Sequence, residues 1–471
     1  MYKCKGPRVE EPDVRRPPGR KLTLEMFLKC RTQILAERCH DRDRYPDFHR
    51  FVVSPWRHYV GRTQTSKHAN CGGTLRSSAR LGPEGVHPYL EVMKSHSIPK
   101  FIGSEIYRDS SYGSGHPLAI PRVSLTIDLI NALGWFPDGT YVDSPRADVE
   151  YLTRFHTPEY VDALIAAEAA QDASDAVRAR FNIGINGNPI FPEMFKRPAT
   201  AAGGGRLAAE LVQDGCAIYN LGGGQHHGRP DQASGFCYFN EPALTIGMLL
   251  DGGCARVFYL DLDAHHGDGV QDAFHDDDRV FTASIHEAGR WPMSRTDDSA
   301  HQLGGLMDRA GGHARNIPVP PHLNDDEFEA IIDGAVLPLI SDFAPDAIFV
   351  QCGADALADD PQSKLALSNH ALWRAVTAVA PLAPRLIVSG GGGYNPFSLA
   401  RCWAGVWGTL AGFEFPDRLP TDAEALLRDI SWSHRRGRTP PDHWFTTLAD
   451  PPNHGQIRDA VKDVIKATLM P

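Results

Sequence analysis

The stretch Asp261-Leu-Asp-Ala-His-His-Gly-Asp-Gly269 sets three carboxylates and two adjacent histidines into nine residues, directly after the apolar run Val257-Phe-Tyr-Leu260. Burying ionisable groups is costly unless they are paired or bind a metal. Near the end of a strand, side chains two residues apart project to the same side, so Asp261, Asp263 and His265 share one face while Leu262 and Ala264 take the other. A carboxylate and an imidazole spaced this way suit a divalent ion such as Zn2+, which accepts N and O donors and at catalytic sites keeps one position open. A DxDxH sequence by itself reads equally well as a helix cap or a solvated loop. The apolar run before it and the HHGDG that continues it favour the metal reading.

Three further apolar runs end in the same manner. Ala217–Leu221, Ala347–Val350 and Arg385–Val388 are followed by GGGQHH (222–227), QCGAD (351–355) and GGGGYN (390–395). Apolar runs alternating with helix-like stretches such as Ser124–Leu133 and Ala243–Leu250 predict an α/β chain with a parallel sheet. Ligands of such sheets sit beyond the carboxyl ends of the strands, so the four polar loops are expected to face one pocket. Asp355 is then the candidate third ligand. A neutral imidazole beside a metal can act as general base, which the pair His226-His227 offers, and Asp261 and Asp268 are free to fix one histidine each. Tyr394 closes a glycine run and can donate to a developing oxyanion. Phe236 in SGFCYFN and Trp291 or Met293 in GRWPM are candidate walls of an apolar channel, although aromatics build cores more often than channels.

The rest of the composition narrows the setting. Across 471 residues the formal charge is −10, yet residues 1–100 carry 20 Lys and Arg against 10 Asp and Glu, leaving 28 against 48 for the remainder. The basic segment is proline-rich and lacks basic–aromatic alternation, so it reads as a loosely ordered extension rather than a nucleic-acid module. The nine cysteines include no C-x-x-C pair, no run approaches the length of a membrane helix, and the first residues lack a secretory apolar centre. A reducing, cytoplasmic location without a membrane partner is expected. The sequence leaves the oligomeric state open.

Taken together these motifs resemble the zinc-dependent histone deacetylase superfamily, especially its bacterial acetoin-utilisation members. The resemblance runs over roughly residues 104–430 through YRDSSYGSGHPLAIPRVS, HTPEY, GGGQHHGRPDQASGFCYFN, DLDAHHGDGVQDAF, QCGADALADDP and GGGGYNPFSLARCW. It implies an arginase/deacetylase-type domain over 101–430, with a central, mostly parallel eight-stranded sheet flanked by helices, and a helical tail over 431–471 packed on it. It implies one Zn2+ on Asp263, His265 and Asp355, with Fe2+ as the other candidate. His227 would be the general base and acid, His226 its electrostatic assistant, Asp261 and Asp268 their carboxylate partners, and Tyr394 the donor to the carbonyl oxygen. Phe236, Trp291, Met293, Gly392 and Gly393 would line the channel and Arg122 the acetate exit. A potassium ion would sit by Asp261 and Ser284. The implied reaction is hydrolysis of an acetylated amine, either protein acetyl-lysine or a small molecule such as an acetylpolyamine.

Two departures stand out. Relatives often place an acidic residue before an Asn-Pro at the channel rim, where Gly187 stands here, and GRWPMSRTDD replaces the usual aromatic-proline-glycine wall. A dinuclear manganese ureohydrolase of the arginase kind is the nearest rival. It needs carboxylates at the positions of Gly267 and Gly353, so one ion fits better than two. A catalytically silent acetyl-lysine-binding module would need none of the histidine machinery.

Overall fold

The computed structural model describes residues 98–470, apart from 295, 297 and 298. The basic extension expected over 1–100 therefore lies, as far as residue 97, outside the described residues. Eight strands form one sheet: β1 Lys100–Gly103, β2 Tyr141–Asp143, β3 Ala217–Asn220, β4 Val257–Asp261, β5 Val280–Glu287, β6 Ala314–Val319, β7 Ala347–Gln351 and β8 Leu386–Ser389. Their order is β2-β1-β3-β8-β7-β4-β5-β6, and every pairing is parallel, where the sequence predicts only a mostly parallel sheet.

The sheet is buried on both sides, and the strand period shows how. In β4, Phe258 and Leu260 join one apolar cluster while Val257 and Tyr259 join another; in β7, Ile348 and Val350 divide from Ala347 and Phe349 in the same way. The first cluster includes the helices Val123–Ala132, Asn369–Val379 and Pro396–Ala411, and the second the helices Lys196–Leu211 and Glu241–Asp251. Two-sided burial explains why these strands are continuous apolar runs rather than alternating ones.

Chain order opens the site. From β3 the chain passes to β4 and leaves a gap that β7 and β8 fill later. The loops after these four strands are thereby brought side by side. Register then aligns the polar last residues of four neighbouring strands, Asn220, Ser389, Gln351 and Asp261, with Ser284 inside β5.

Beyond the sheet, fully buried Arg401 on the helix Pro396–Ala411 pairs with Asp450 at 2.6 Å. The helix Asp459–Thr468 buries Val461, Val464 and Thr468 against β6. Arg309 donates to the carbonyls of Ala467 and Met470 at its end, at 3.3 and 3.2 Å.

Candidate metal centre

Asp263 and His265 follow β4, and Asp355 follows β7. Their donor atoms all lie within 4.8 Å of one another, the one cluster of this kind among the described residues. His265 Nδ1 is 2.9 Å from Asp355 Oδ2 and 3.2 Å from Asp263 Oδ1. Backbone donors hold the carboxylates from outside: Gly392 N reaches Asp263 Oδ2 at 2.6 Å and Ala264 N reaches Asp355 Oδ1 at 2.9 Å. Two carboxylates and one imidazole make a donor set that Zn2+ and Fe2+ both accept.

The electrostatics favour a cation there. Burial pushes Asp263 up, but His226 and His265 outweigh it and hold the carboxyl well below its usual range. Burial and the charge of Asp263 push Asp355 up to about 6. Burial opposes a charge on His265, but its hydrogen bonds to both carboxylates win and raise it to about 10. Two carboxylates this close ionise together only when a positive charge lies between them.

Each histidine of the β3 loop has its own carboxylate. His226 Nδ1 lies 2.8 Å from Asp261 Oδ2, which also accepts from the Tyr259 hydroxyl at 2.7 Å. Burial would lower His226, but Asp261 and Asp263 raise it to about 9. His227 Nδ1 lies 2.6 Å from Asp268 Oδ1, and Arg229 donates to the other oxygen of Asp268 and to Asp272. Burial, followed by the charge of His226, pulls His227 down to about 4. Burial pushes Asp268 up, yet His227 and Arg229 prevail and hold it at about 2. The two adjacent imidazoles thus settle into different charge states.

A cavity of about 710 Å³ runs past Asp263, His265, both histidines and Tyr394. The Tyr394 N–H donates to Asp360 Oδ2 at 2.6 Å, which fixes the glycine loop from the β7 side. Burial raises the phenol well above its ordinary value. Phe236 borders the cavity with its ring 6.2 Å from that of Tyr394, at a φ of 69° that few non-glycine residues adopt. Trp291, 45% exposed, packs edge-on to His227 at 4.7 Å.

Two expected channel residues do not border the cavity. A turn closed by Met293 N donating to Arg290 O brings Trp291 over the opening and leaves Met293 buried. Gly393 faces Ala354 and Leu399, whereas Gly392 borders the cavity. Gly187 has a φ of 82°, and a Cβ there would meet the Phe236 ring at 2.6 Å, so this backbone admits no acidic side chain at that point. Asn182 and Asn186 border the rim instead. Arg122 borders the inner part, while Asp261, Asp268 and Ser284 stand behind the cavity, Ser284 with its hydroxyl 2.9 Å from His286 Nδ1.

Sequence reading passed over several supports. Gln351 Nε2 donates to Gly224 O at 3.0 Å, and buried Glu241 accepts from Gly224 N at 2.8 Å. Arg229 and Asp360 sit inside quoted motifs without an assigned task, and Tyr259 could have been placed by the same two-residue spacing that grouped Asp261 with Asp263.

A Cβ on Gly267 would meet Asp261 Oδ2 at 2.2 Å, and one on Gly353 would meet Asp263 Oδ2 at 2.2 Å. Side chains at these two positions would displace the carboxylates of Asp261 and Asp263.

The description "Histone deacetylase domain" matches residues 116–410. The acetoin utilization protein AcuC of Bacillus subtilis is 34% identical over 330 residues, covering 68% of this chain and 84% of that one. A putative histone deacetylase 2 of Caenorhabditis elegans is 35% identical over 318 residues, covering 66% of this chain and 61% of its own length. The crystal structure of an HDAC homolog from Aquifex aeolicus superposes with a TM-score of 0.74 at 35% identity, over 79% of this chain and 100% of that one. An HDAC homolog complexed with SAHA matches equally, at a TM-score of 0.74.

Proposed function

The chain belongs to the histone deacetylase family, and on that premise we propose that it removes acetyl groups from acetylated amines, Nε-acetyl-lysine of proteins foremost, with one Zn2+ or Fe2+ held by Asp263, His265 and Asp355. The ion, when bound, supplies a Lewis acid for the acetyl carbonyl and acidifies water beside it. Every other task falls to side chains.

With Nδ1 of His227 bound to Asp268, its Nε2 is left as the acceptor facing the cavity. A neutral imidazole there takes a proton from the attacking water and returns it to the departing nitrogen. His226, its Nδ1 bound to Asp261, assists electrostatically beside the reaction. Tyr394 keeps its phenolic proton and donates it as a hydrogen bond to the oxyanion. Acetate leaves past Arg122. Asp261 and Ser284 are neighbours in register, and the reading includes a potassium ion beside them.

The observation that carries this reading is the pairing of two separately buttressed histidines with a single three-donor cluster. A silent binding module has no use for the first, and a ureohydrolase needs a larger cluster than the second. Apart from Asp263, no carboxylate borders the cavity among the described residues, and this favours acetyl-lysine over acetylpolyamines. The test is turnover by the metal-loaded protein on acetyl-lysine peptides, acetylputrescine and acetylspermidine. Acetate release is expected, fastest from the peptides. No release from any of the three would overturn the assignment.

A further inference from the structure

The inner part of the cavity is bordered by Tyr107, Tyr112, Trp403 and two arginines, Arg122 and Arg197. Arg122 donates to Gly391 O, next to the Gly392 N–H that holds Asp263, so its head group lies close under the metal ligands. Its Nε is buried without a hydrogen-bond partner, as is the Tyr107 hydroxyl. Arg197 enters from the helix Lys196–Leu211, 4.9 Å over the Tyr107 ring and 5.5 Å from that of Tyr112, and donates to Ser110 O at 3.1 Å. Among the described residues neither arginine has a carboxylate within the 4.0 Å of an ion pair, whereas Arg229, Arg290 and Arg401 each have one.

Two half-buried guanidinium groups border one cavity with no carboxylate in ion-pair reach, an arrangement that favours an anionic ligand. Burial, and further the charge of Arg197, pulls Arg122 below its ordinary value. Acetate carries one carboxylate, which Arg122 can meet alone. Arg197 is a second, separately mounted cation in the same chamber.

We propose that this chamber is a carboxylate subsite for the acyl group, so that the enzyme also hydrolyses lysine amides of short dicarboxylic acids, succinyl foremost, with the far carboxylate held by Arg197 and Arg122. The proposal rests on the deacetylase reading of the site. Water adds to the acyl carbonyl, the C–N bond breaks, both water protons end on the nitrogen as an ammonium, and the free dicarboxylate leaves.

The test uses the full, metal-loaded chain and one lysine peptide bearing acetyl, succinyl or 4-methylpentanoyl, the last being an uncharged group of succinyl shape. Succinyl should exceed 4-methylpentanoyl in kcat/KM by at least ~10-fold, the size of one charged hydrogen bond. Arg197→Met should erase that ratio and Arg197→Lys should preserve much of it. Free succinate should likewise inhibit deacetylation at least ~10-fold more tightly than acetate, and Arg197→Met should level the two. Turnover of the acetyl peptide with no preference for succinyl over its uncharged analogue overturns this inference and leaves the deacetylase standing. Equal inhibition by succinate and acetate in the unmodified enzyme also overturns it, because the chamber is then an acetate exit only. Inactivity on all three peptides overturns both readings.

Discussion

The strand-end centre and the loop rim of the same cavity are built by opposite rules. At the centre, polar groups are held from several sides: Asp263 by Gly392 N and His265 N, and Asp261 by Tyr259 and His226. At the rim, Trp291 stands half in solvent, and Asn186 is held by an amide hydrogen bond to Asn182 at 2.9 Å. Parallel strands bring the loops of the centre side by side, and displacing one group there disturbs its hydrogen-bonded neighbours. Rim residues such as Trp291 and Asn186 carry fewer such contacts, so changes there should cost the chemistry less than changes at the centre. Gly187 and GRWPM, the two departures that the sequence resemblance implies, both lie there.

The largest effect that can break this contrast is expected from Asp263→Ala, which should abolish metal retention and turnover together. A variant that still holds a full complement of metal, measured by elemental analysis, would remove Asp263 from the ligand set. Next comes Tyr394→Phe, which should lower kcat by ~10²- to 10³-fold, as loss of an oxyanion donor does, with metal content unchanged. Turnover within a few-fold of the original would move Tyr394 out of the centre.

Glu241 probes the buried support beneath the histidine loop. Burial pushes its carboxyl up to about 7 from 4.5. The folded protein then keeps a proton that the unfolded chain has released, so this contribution to stability is complete below pH ~4.5 and declines as pH rises towards ~7. Relative to Glu241→Gln, the original protein should lose on the order of 3 kcal/mol of unfolding free energy between pH 5 and pH 8 in urea titrations. A pH-independent gap between the two would mean that Glu241 does not titrate in that window. Smallest is Trp291→Ala, which removes an edge-on ring contact with His227 and should cost about 2- to 10-fold in kcat/KM. A loss of a hundredfold would place Trp291 with the centre and dissolve the distinction.

The same contrast governs what could be read from sequence. The four apolar runs recognised at the outset are β3, β8, β7 and β4, adjacent in the sheet, because strands buried on both faces announce themselves by composition. β2 is only 3 residues long, β1 opens on Lys100 and closes on Gly103, β5 carries Thr282, Ser284, His286 and Glu287, and β6 contains Arg315 and Pro318, so none reads as a continuous apolar run. The helix Lys196–Leu211 was hidden by Gly203, Gly204 and Gly205, poor helix formers kept there by close packing: a Cβ on Gly203 would meet Pro145 O at 2.0 Å. The metal ligands and both histidine–carboxylate pairs were legible because each sits a fixed step beyond a recognisable strand. Arg197, Asp360 and Glu241 act through tertiary contacts with no local pattern, and a turn in the rim decided between Trp291 and Met293.

The close approach at Gly267 and Gly353 bears on how this architecture diversified. Two acidic replacements would not turn the protein into a two-ion hydrolase, because each new side chain would collide with an aspartate that the existing chemistry needs. Each aspartate must swing aside before the extra ligand can enter. A laboratory conversion would therefore have to re-place Asp261 and Asp263 together with the new acids rather than add the acids alone.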